Sequence, residues 1–504
     1  MVLTLACGGG GGGTSTSQAE LKLSVSPASA NLAQGQAGTV QVSASRLNGE
    51  TGAITLSLGG APAGLTGSGT IASGATAATF TVQVGAAVAA GTYALTVQGS
   101  DGTLTRSTTF NLVVTAAKAA VWVFDPTATV TFFAYQDGTG AWTPVPGSFG
   151  VFAFNLAQAK GGVAYAITNA ALGASEVVLY YGTAAELASQ NLKTVTGDGL
   201  TVTGTFSGLG GTDKVDLYLG MEGYDQEKGA GTGAGTWTMA GMNKGVHDLL
   251  AMRSDTTGAP QSLIIHRGLA LTAAGDQGAA AKVNFDSEGY ALTPGVFSVT
   301  GLNLGAGGIL KGWQSLETDN GAMNLAMATM TGTTSMPVYA VAPGGLLASD
   351  RYTFLYQTGL DNGNGVIDSG NNRTVWTMKQ AGTSLAVAAP ADMAPTTATV
   401  TTNAPYTRIR TQWAFDSLYN QSFSAQYTQG ATKLWYLGVT AAYGPVDLTF
   451  PDFTGLAGWQ NAWGLGAGTA VTAQFVGFGR TWTTWPPADG AQSYQVMRTV
   501  TVNP

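Results

Sequence analysis

Apolar and polar residues alternate with a period of two from about Ala19 to Thr115. Leu21-Lys22-Leu23-Ser24-Val25 is followed by Thr39-Val40-Gln41-Val42-Ser43 and Ala53-Ile54-Thr55-Leu56-Ser57-Leu58. Thr79-Phe80-Thr81-Val82-Gln83-Val84 and Thr108-Thr109-Phe110-Asn111-Leu112-Val113-Val114 repeat the pattern. Side chains in a strand point alternately to opposite faces, so each run puts its apolar residues on one side. Six or seven such runs, with turn signals about every eight to twelve residues, predict an antiparallel sandwich. The alternation continues beyond, and no long helical period appears. The pattern predicts an all-β chain of several antiparallel β-sandwich modules in tandem, with few short helices. A short linker is expected at Ala116 to Ala120, alanine throughout but for Lys118. Further modules are expected at 121–194, 195–294, 295–397 and 398–504. Tyr180 to Leu187 reads as one short closing helix. Pro390, Pro395 and the Thr-rich run Thr396 to Thr402 mark the last boundary.

Composition narrows the class. A length of 504 residues suggests about three to five domains. Only 10% of residues are charged, well under the roughly one quarter that is typical, while Gly reaches 73. Such a chain suits short strands and tight turns, as in exported β-modules, better than a cytosolic helical enzyme. A net charge of -7 and a pI near 4.8 argue against general nucleic-acid affinity, which depends on clustered Lys and Arg. The single cysteine excludes an internal disulfide framework and a thiolate metal cluster. No apolar run reaches the ~18 residues of a spanning helix, which leaves a lipid as the anchor to consider.

The first seventeen residues, MVLTLACGGGGGGTSTS, end a short apolar run at Cys7 and continue into six glycines and four hydroxyl residues. This resembles the end of a bacterial lipoprotein signal, in which the cysteine after a small residue is cleaved free, acylated and followed by a flexible tether. The resemblance implies lipidation at Cys7, a tether over 1–18, and a membrane-anchored cell-envelope protein outside the cytoplasm. Six residues precede Cys7 without Lys or Arg, so the signal is expected to begin upstream of Met1. The phrases Ser24-Val25-Ser26-Pro27, Ala61-Pro62-Ala63-Gly64-Leu65 and Gly91-Thr92-Tyr93-Ala94-Leu95-Thr96-Val97 resemble bacterial immunoglobulin-like repeats. That resemblance covers 19–116 and implies a spacer. Thr201 to Gly208 and Gly235 to Leu249 are similar to the carboxypeptidase regulatory-like, or transthyretin-like, sandwich. It implies a non-catalytic accessory domain over 195–294.

Residues that could carry chemistry are few. The only two histidines, His247 and His266, fall on two strands expected to pair, where they could hold a transition metal or act structurally through a loop carbonyl. Leu360 to Asn371 resembles the calcium loops of EF-hand and dockerin type, with Asn362, Asn364 and Asp368 at the third, fifth and ninth positions. The first position is Leu360, unless Asp361 takes that place, and the twelfth is Asn371, where carboxylates are expected, so a polar turn is the competing reading and calcium the one cofactor to consider. Six of the eleven tryptophans lie beyond residue 400: Trp413, Trp435, Trp459, Trp463, Trp482 and Trp485. Buried they fill a core; exposed they form a stacking platform for a polymer. Trp459 and Trp463 are spaced for one face of a short helix. Trp482 and Trp485, in Thr481-Trp482-Thr483-Thr484-Trp485-Pro486-Pro487, are the pair expected at the surface. The same region carries Arg408, Arg410, Lys433, Arg480 and Arg498, of which Arg408 and Arg410 are the candidates through which nucleic acid would be reached. Two histidines and the absence of a Gly-x-Ser-x-Gly elbow support no Ser/His/Asp arrangement. The expectation is a non-enzymatic envelope protein with a structural, adhesive or scaffolding role, whose partners are the membrane and a cell-wall or surface polymer or another envelope protein.

Overall fold

A computed structural model describes residues 20–125, 129–148, 150–169, 174–193, 197–221, 223–228, 233–302, 304, 306–360, 369–379, 384–484 and 487–504. The chain is all-β. Among the described residues the helical content is four short 3-10 turns, at Gly278–Ala281, Pro343–Gly345, Ala441–Tyr443 and Asn461–Trp463. Among the described residues no helix is long and apolar enough to cross a membrane.

The first unit is built as its alternation requires. One layer runs Glu20–Ser26, Ala37–Leu47, Ala77–Val84, Leu65–Ile71, and the next Ile54–Gly59, Gly91–Ser100, Thr105–Thr115. After Pro27 the chain changes layer, and Ser29–Ala33 runs parallel to the last strand. This strand order is that of an immunoglobulin-type sandwich. Leu21, Val42, Phe80, Val97, Phe110 and Leu112 meet in its core, each nearly or fully buried. Each contributes about 1.5–3 kcal/mol by leaving water.

The expected alanine linker is shorter than it reads. Only Ala116 and Ala117 lie between strands, because Lys118–Phe124 is already paired with Val151–Leu156. Ala120 is buried there beside the packed ring of Trp122. Polar contacts tie the two units: Gln36 donates to Asp137 at 2.8 Å, and the Ala117 N–H donates to the Gln34 side chain at 3.2 Å. The helix expected over Tyr180 to Leu187 is also absent. Tyr180 to Thr183 finish a strand, and the Glu186 carboxylate then accepts the Thr183 N–H and hydroxyl, each at 2.8 Å, and the Thr440 hydroxyl at 2.7 Å. Those bonds fix a turn.

Residues 200–285 form a second sandwich. Leu200–Ser207 and Gly235–Met242 face Lys214–Leu219, Gly245–Ser254 and Pro260–Leu271 around Trp237, which is fully buried and donates its Nε1–H to the Ala281 carbonyl at 3.2 Å. Gly204 is needed beneath that indole, since a Cβ would come within 2.4 Å of the ring. The sheet does not stop near residue 294: Pro260–Leu271 pairs with Tyr290–Thr300, which pairs with Ser335–Val341.

The remaining strands assemble a twelve-stranded sheet. Its first four are Trp142–Pro144, Val130–Asp137, Lys160–Asn169 and Ala174–Thr183. Lys433–Thr440, Ser422–Gln429, Val471–Arg480 and Gln492–Val502 follow. Ser369–Lys379, Arg351–Leu360, Gly308–Thr318 and Gly321–Thr331 complete it. One parallel pair, Ala174–Thr183 with Lys433–Thr440, joins the 121–194 strands to those of 398–504. These stretches of the chain therefore share one hydrogen-bonded sheet.

A three-stranded sheet and the continuation of the sheet that holds Pro260–Leu271 cover one face of it. Thr397–Thr402, Arg408–Trp413 and Val446–Thr449 pack on half of that inner face around Trp435. Tyr290–Thr300, Ser335–Val341 and Leu385–Ala388 pack on the other half around Phe297 and Phe354. On the outer face, Lys118–Phe124, Val151–Leu156 and Ser189–Leu192 cover one end, where Trp122, Phe124, Phe133 and Phe152 interlock.

Candidate polymer-binding face

Beyond that cover the outer face is open to solvent. Trp376 lies on the parity opposite to buried Val375 and is 48% exposed, and Met327 is 71% exposed. Pairing register places them in one row across the sheet. Met327 is opposite Trp313, Trp313 opposite Leu355, and Leu355 opposite Trp376. Trp376 is opposite Ser493, and Ser493 opposite Arg480. Neighbouring strands lie about 4.8 Å apart, so the row crosses roughly 24 Å. Trp313 and Leu355 are half-buried.

The row above it is polar but for Phe478. Lys311, Gln357, Thr374 and Gln495 stand opposite one another in turn, and Phe478 and Ser422 extend that row. At the Arg480 end the two rows enclose a groove of about 410 Å³ lined by Trp376, Thr374, Ser493, Gln495, Phe478 and Arg480. The Arg480 guanidinium carbon sits 4.4 Å from the centre of the Trp482 ring, a cation–π contact. Its Nε is buried and, among the described residues, without a hydrogen-bond partner. Flat rings in a line, flanked by amides and hydroxyls, can stack on and hydrogen-bond a flat, polar-edged ligand.

The residues singled out from the sequence are distributed differently. Trp413, Trp435 and Trp463 are buried in the core, and Trp459 is half-buried against it. Trp459 and Trp463 do meet edge to face, with centroids 5.4 Å apart, through a turn and a 3-10 segment instead of a helix. Trp482 is half-buried beneath Arg480, and Trp485 lies outside the described residues. The platform residues, exposed Trp376 and half-buried Trp313, come from the stretch before residue 398. Their signal was the alternation itself, Trp376 standing between apolar Val375 and buried Thr377.

The histidines do not converge. A bulge at Asp248 sets His247 opposite Leu269 and His266 opposite Leu249. His247 is nearly buried, with Nε2 at 2.9 Å from the Asn243 carbonyl. His266 engages the Ala280 carbonyl at 3.1 Å and Glu288 Oε2 at 2.8 Å. Among the described residues no three His, Cys, Asp or Glu side chains come together as a metal set. Asn362, Asn364 and Asp368 lie outside the described residues, as does Cys7.

Arg410 and Arg408 each face a carboxylate. Arg410 grips Asp447 through two bonds of 2.6 and 2.7 Å, and Arg408 lies 4.0 Å from Asp452. Arg410 holds the Asp447 carboxyl below its ordinary 3.8, first through the hydrogen bonds and then through its charge. A depressed carboxylate supports the fold above the unfolded value and loses that support as pH falls through the folded one. Carbon-detected titration should place the Asp447 midpoint below 3.8 and move it upward in Arg410→Ala. Both side chains are exposed, so the unfolding midpoint should hardly move.

No protein-family profile matches the chain, and no curated protein matches it. Among solved structures, surface layer protein SbsC, domains 4–9, aligns at 11% identity over 96% of this chain and 83% of that one, with a TM-score of 0.16. The N-terminal eight Ig domains of Down Syndrome Cell Adhesion Molecule align at 7% identity over 95% and 68%, with a TM-score of 0.13. Scores this low carry no argument about function.

Proposed function

We propose that this chain is a non-catalytic structural or adhesive protein of the cell surface, which presents the open face of its long sheet to an extended polymer. The observation that carries the reading is the Met327–Trp313–Leu355–Trp376 row. A soluble protein rarely leaves such a contiguous apolar strip in water unless something docks there. In this reading Cys7 is acylated, the glycine tether and the immunoglobulin-type unit act as spacers, and the 195–294 sandwich is the accessory domain its motif suggests. A single acyl chain holds a membrane only marginally, so anchoring would require more than one. Mass spectrometry of the native product should find an acylated amino-terminal Cys7 peptide in the membrane fraction. An unmodified Cys7 thiol in the cytosolic fraction would remove the envelope assignment. Retention on insoluble polysaccharide columns tests the polymer face, and loss of retention is expected in Trp376→Ala.

A further inference from the structure

We infer that the open face takes an unbranched acidic polysaccharide, one carrying carboxylate sugars, laid along the Met327-to-Arg480 row. The inference rests on the polymer-binding reading and goes further by naming the ligand's chemistry. Three observations carry it. The first is shape: the apolar row is one residue wide, flanked by a polar row, and Trp313 and Trp376 stand two strands apart, about 10 Å. One strand spacing is close to the length of one hexopyranose unit, so alternate sugars meet the two indoles while their hydroxyls reach Gln357, Thr374 and Gln495.

The second is charge. The protein carries a net -7, yet the two rows hold Lys311 and Arg480 and no carboxylate. Glu317, further along its strand, is engaged by the Thr353 hydroxyl at 2.6 Å. Lys311 and Arg480 are four strands apart, roughly 20 Å, with the Trp376 indole between them and that of Trp313 beside Lys311 on the same strand. A polymer with regularly spaced carboxylates meets a cation near each end and a neutral aromatic floor in the middle. The Arg480 guanidinium, held against Trp482, lines the groove beside Trp376 and brings to it a fixed positive charge that a carboxylate can pair with.

The third is area. A strip of roughly 24 by 7 Å falls far below the ~800 Å² per partner of a stable protein interface, which disfavours a folded protein as occupant.

Calorimetric titration of the full chain with a galacturonate hexasaccharide, and in parallel with a neutral cello-hexasaccharide, tests this. The acidic ligand should bind more tightly, with affinity falling as salt rises. Trp376→Ala should weaken both ligands by about tenfold or more, as expected for an aromatic anchor. Arg480→Gln should lower acidic affinity several-fold and leave neutral affinity unchanged. Trp376 is exposed, so its variant should keep the wild-type unfolding midpoint; Trp376→Phe, expected to retain most of the affinity, guards against a folding artefact. Equal binding of the two hexasaccharides, with no effect of Arg480→Gln, overturns the acidic assignment and leaves the polymer face standing. Failure of the wild type to bind either one, or undiminished binding by Trp376→Ala, overturns both.

Discussion

Arg267→Ala is expected to destabilise the middle of the molecule by about 3–5 kcal/mol, because it strands two buried carboxylates. Arg267 leaves the strand Pro260–Leu271 and reaches Asp350 with both ends of its fork, at 3.0 and 2.5 Å. Asp350 is 1% exposed, and so is Asp248, whose second oxygen lies 3.7 Å from the same guanidinium. Asp248 accepts the Gly268 N–H at 2.8 Å, and Asp350 accepts the Leu347 N–H at 2.8 Å. The cation thus pins the loop ahead of Arg351–Leu360, in the long sheet, to the 200–285 sandwich. Removing it leaves negative charge in a low-dielectric site with backbone donors alone. Hydrogen exchange should show lost protection at the Leu347 and Gly268 amides, and denaturant unfolding should show an earlier transition for this unit. Arg267→Lys keeps the charge and loses the fork, and should fall between. The double variant Arg267→Met with Asp350→Leu should recover much of the loss, since it removes one stranded charge along with its partner. Equal protection in the Ala variant would mean that water already reaches these carboxylates.

Which parts of this architecture were readable along the chain follows from what alternation encodes. It encodes the face a residue takes, so Leu21, Leu23, Val40 and Val42 point inward as their spacing predicts, and the all-β class follows from the same signal. It does not encode which strand lies alongside. Ala174–Thr183 and Lys433–Thr440 are distant in the chain, and nothing local in either run announces that they pair in parallel. The density of tryptophan beyond residue 400 drew attention to a core. Trp313 and Trp376 became a platform because the two covering sheets both packed on the opposite face. The two histidines were placed on paired strands as expected, and the bulge at Asp248 sent their rings to different partners. A bulge leaves little trace in a pattern of period two. The polar row was likewise legible residue by residue, since Gln357 and Thr374 alternate with buried neighbours, but its lateral continuity depends on register between strands far apart in sequence.

That dependence on one parallel pair gives the other large expected effect. Trp435→Ala should cost about 3–5 kcal/mol and should also split the unfolding of the long sheet into two steps. Trp435 is fully buried on Lys433–Thr440, the strand with Ala174–Thr183 on one side and Ser422–Gln429 on the other. Its ring stacks on Phe450 at 4.6 Å and meets Tyr406 at 5.8 Å and Trp459 at 6.0 Å. Its Nε1–H donates to the Trp463 carbonyl at 3.0 Å, which ties the 3-10 segment down over the core. Alanine would open a cavity too large for these neighbours to close, and would leave the Trp463 carbonyl unpaired. Trp435→Phe keeps most of the volume and loses only the N–H, so about 1–3 kcal/mol is expected. The parallel pair this ring supports is the hydrogen-bonded link between the 130–183 strands and the 422–502 strands, alongside ring contacts of Phe132 and Trp142 with Phe453. Exchange protection within 163–179 should therefore fall before that within 473–496 as denaturant rises in the Ala variant, and together in the wild type. A single transition in Trp435→Ala, displaced by less than about 1 kcal/mol, would show that the two halves are coupled elsewhere.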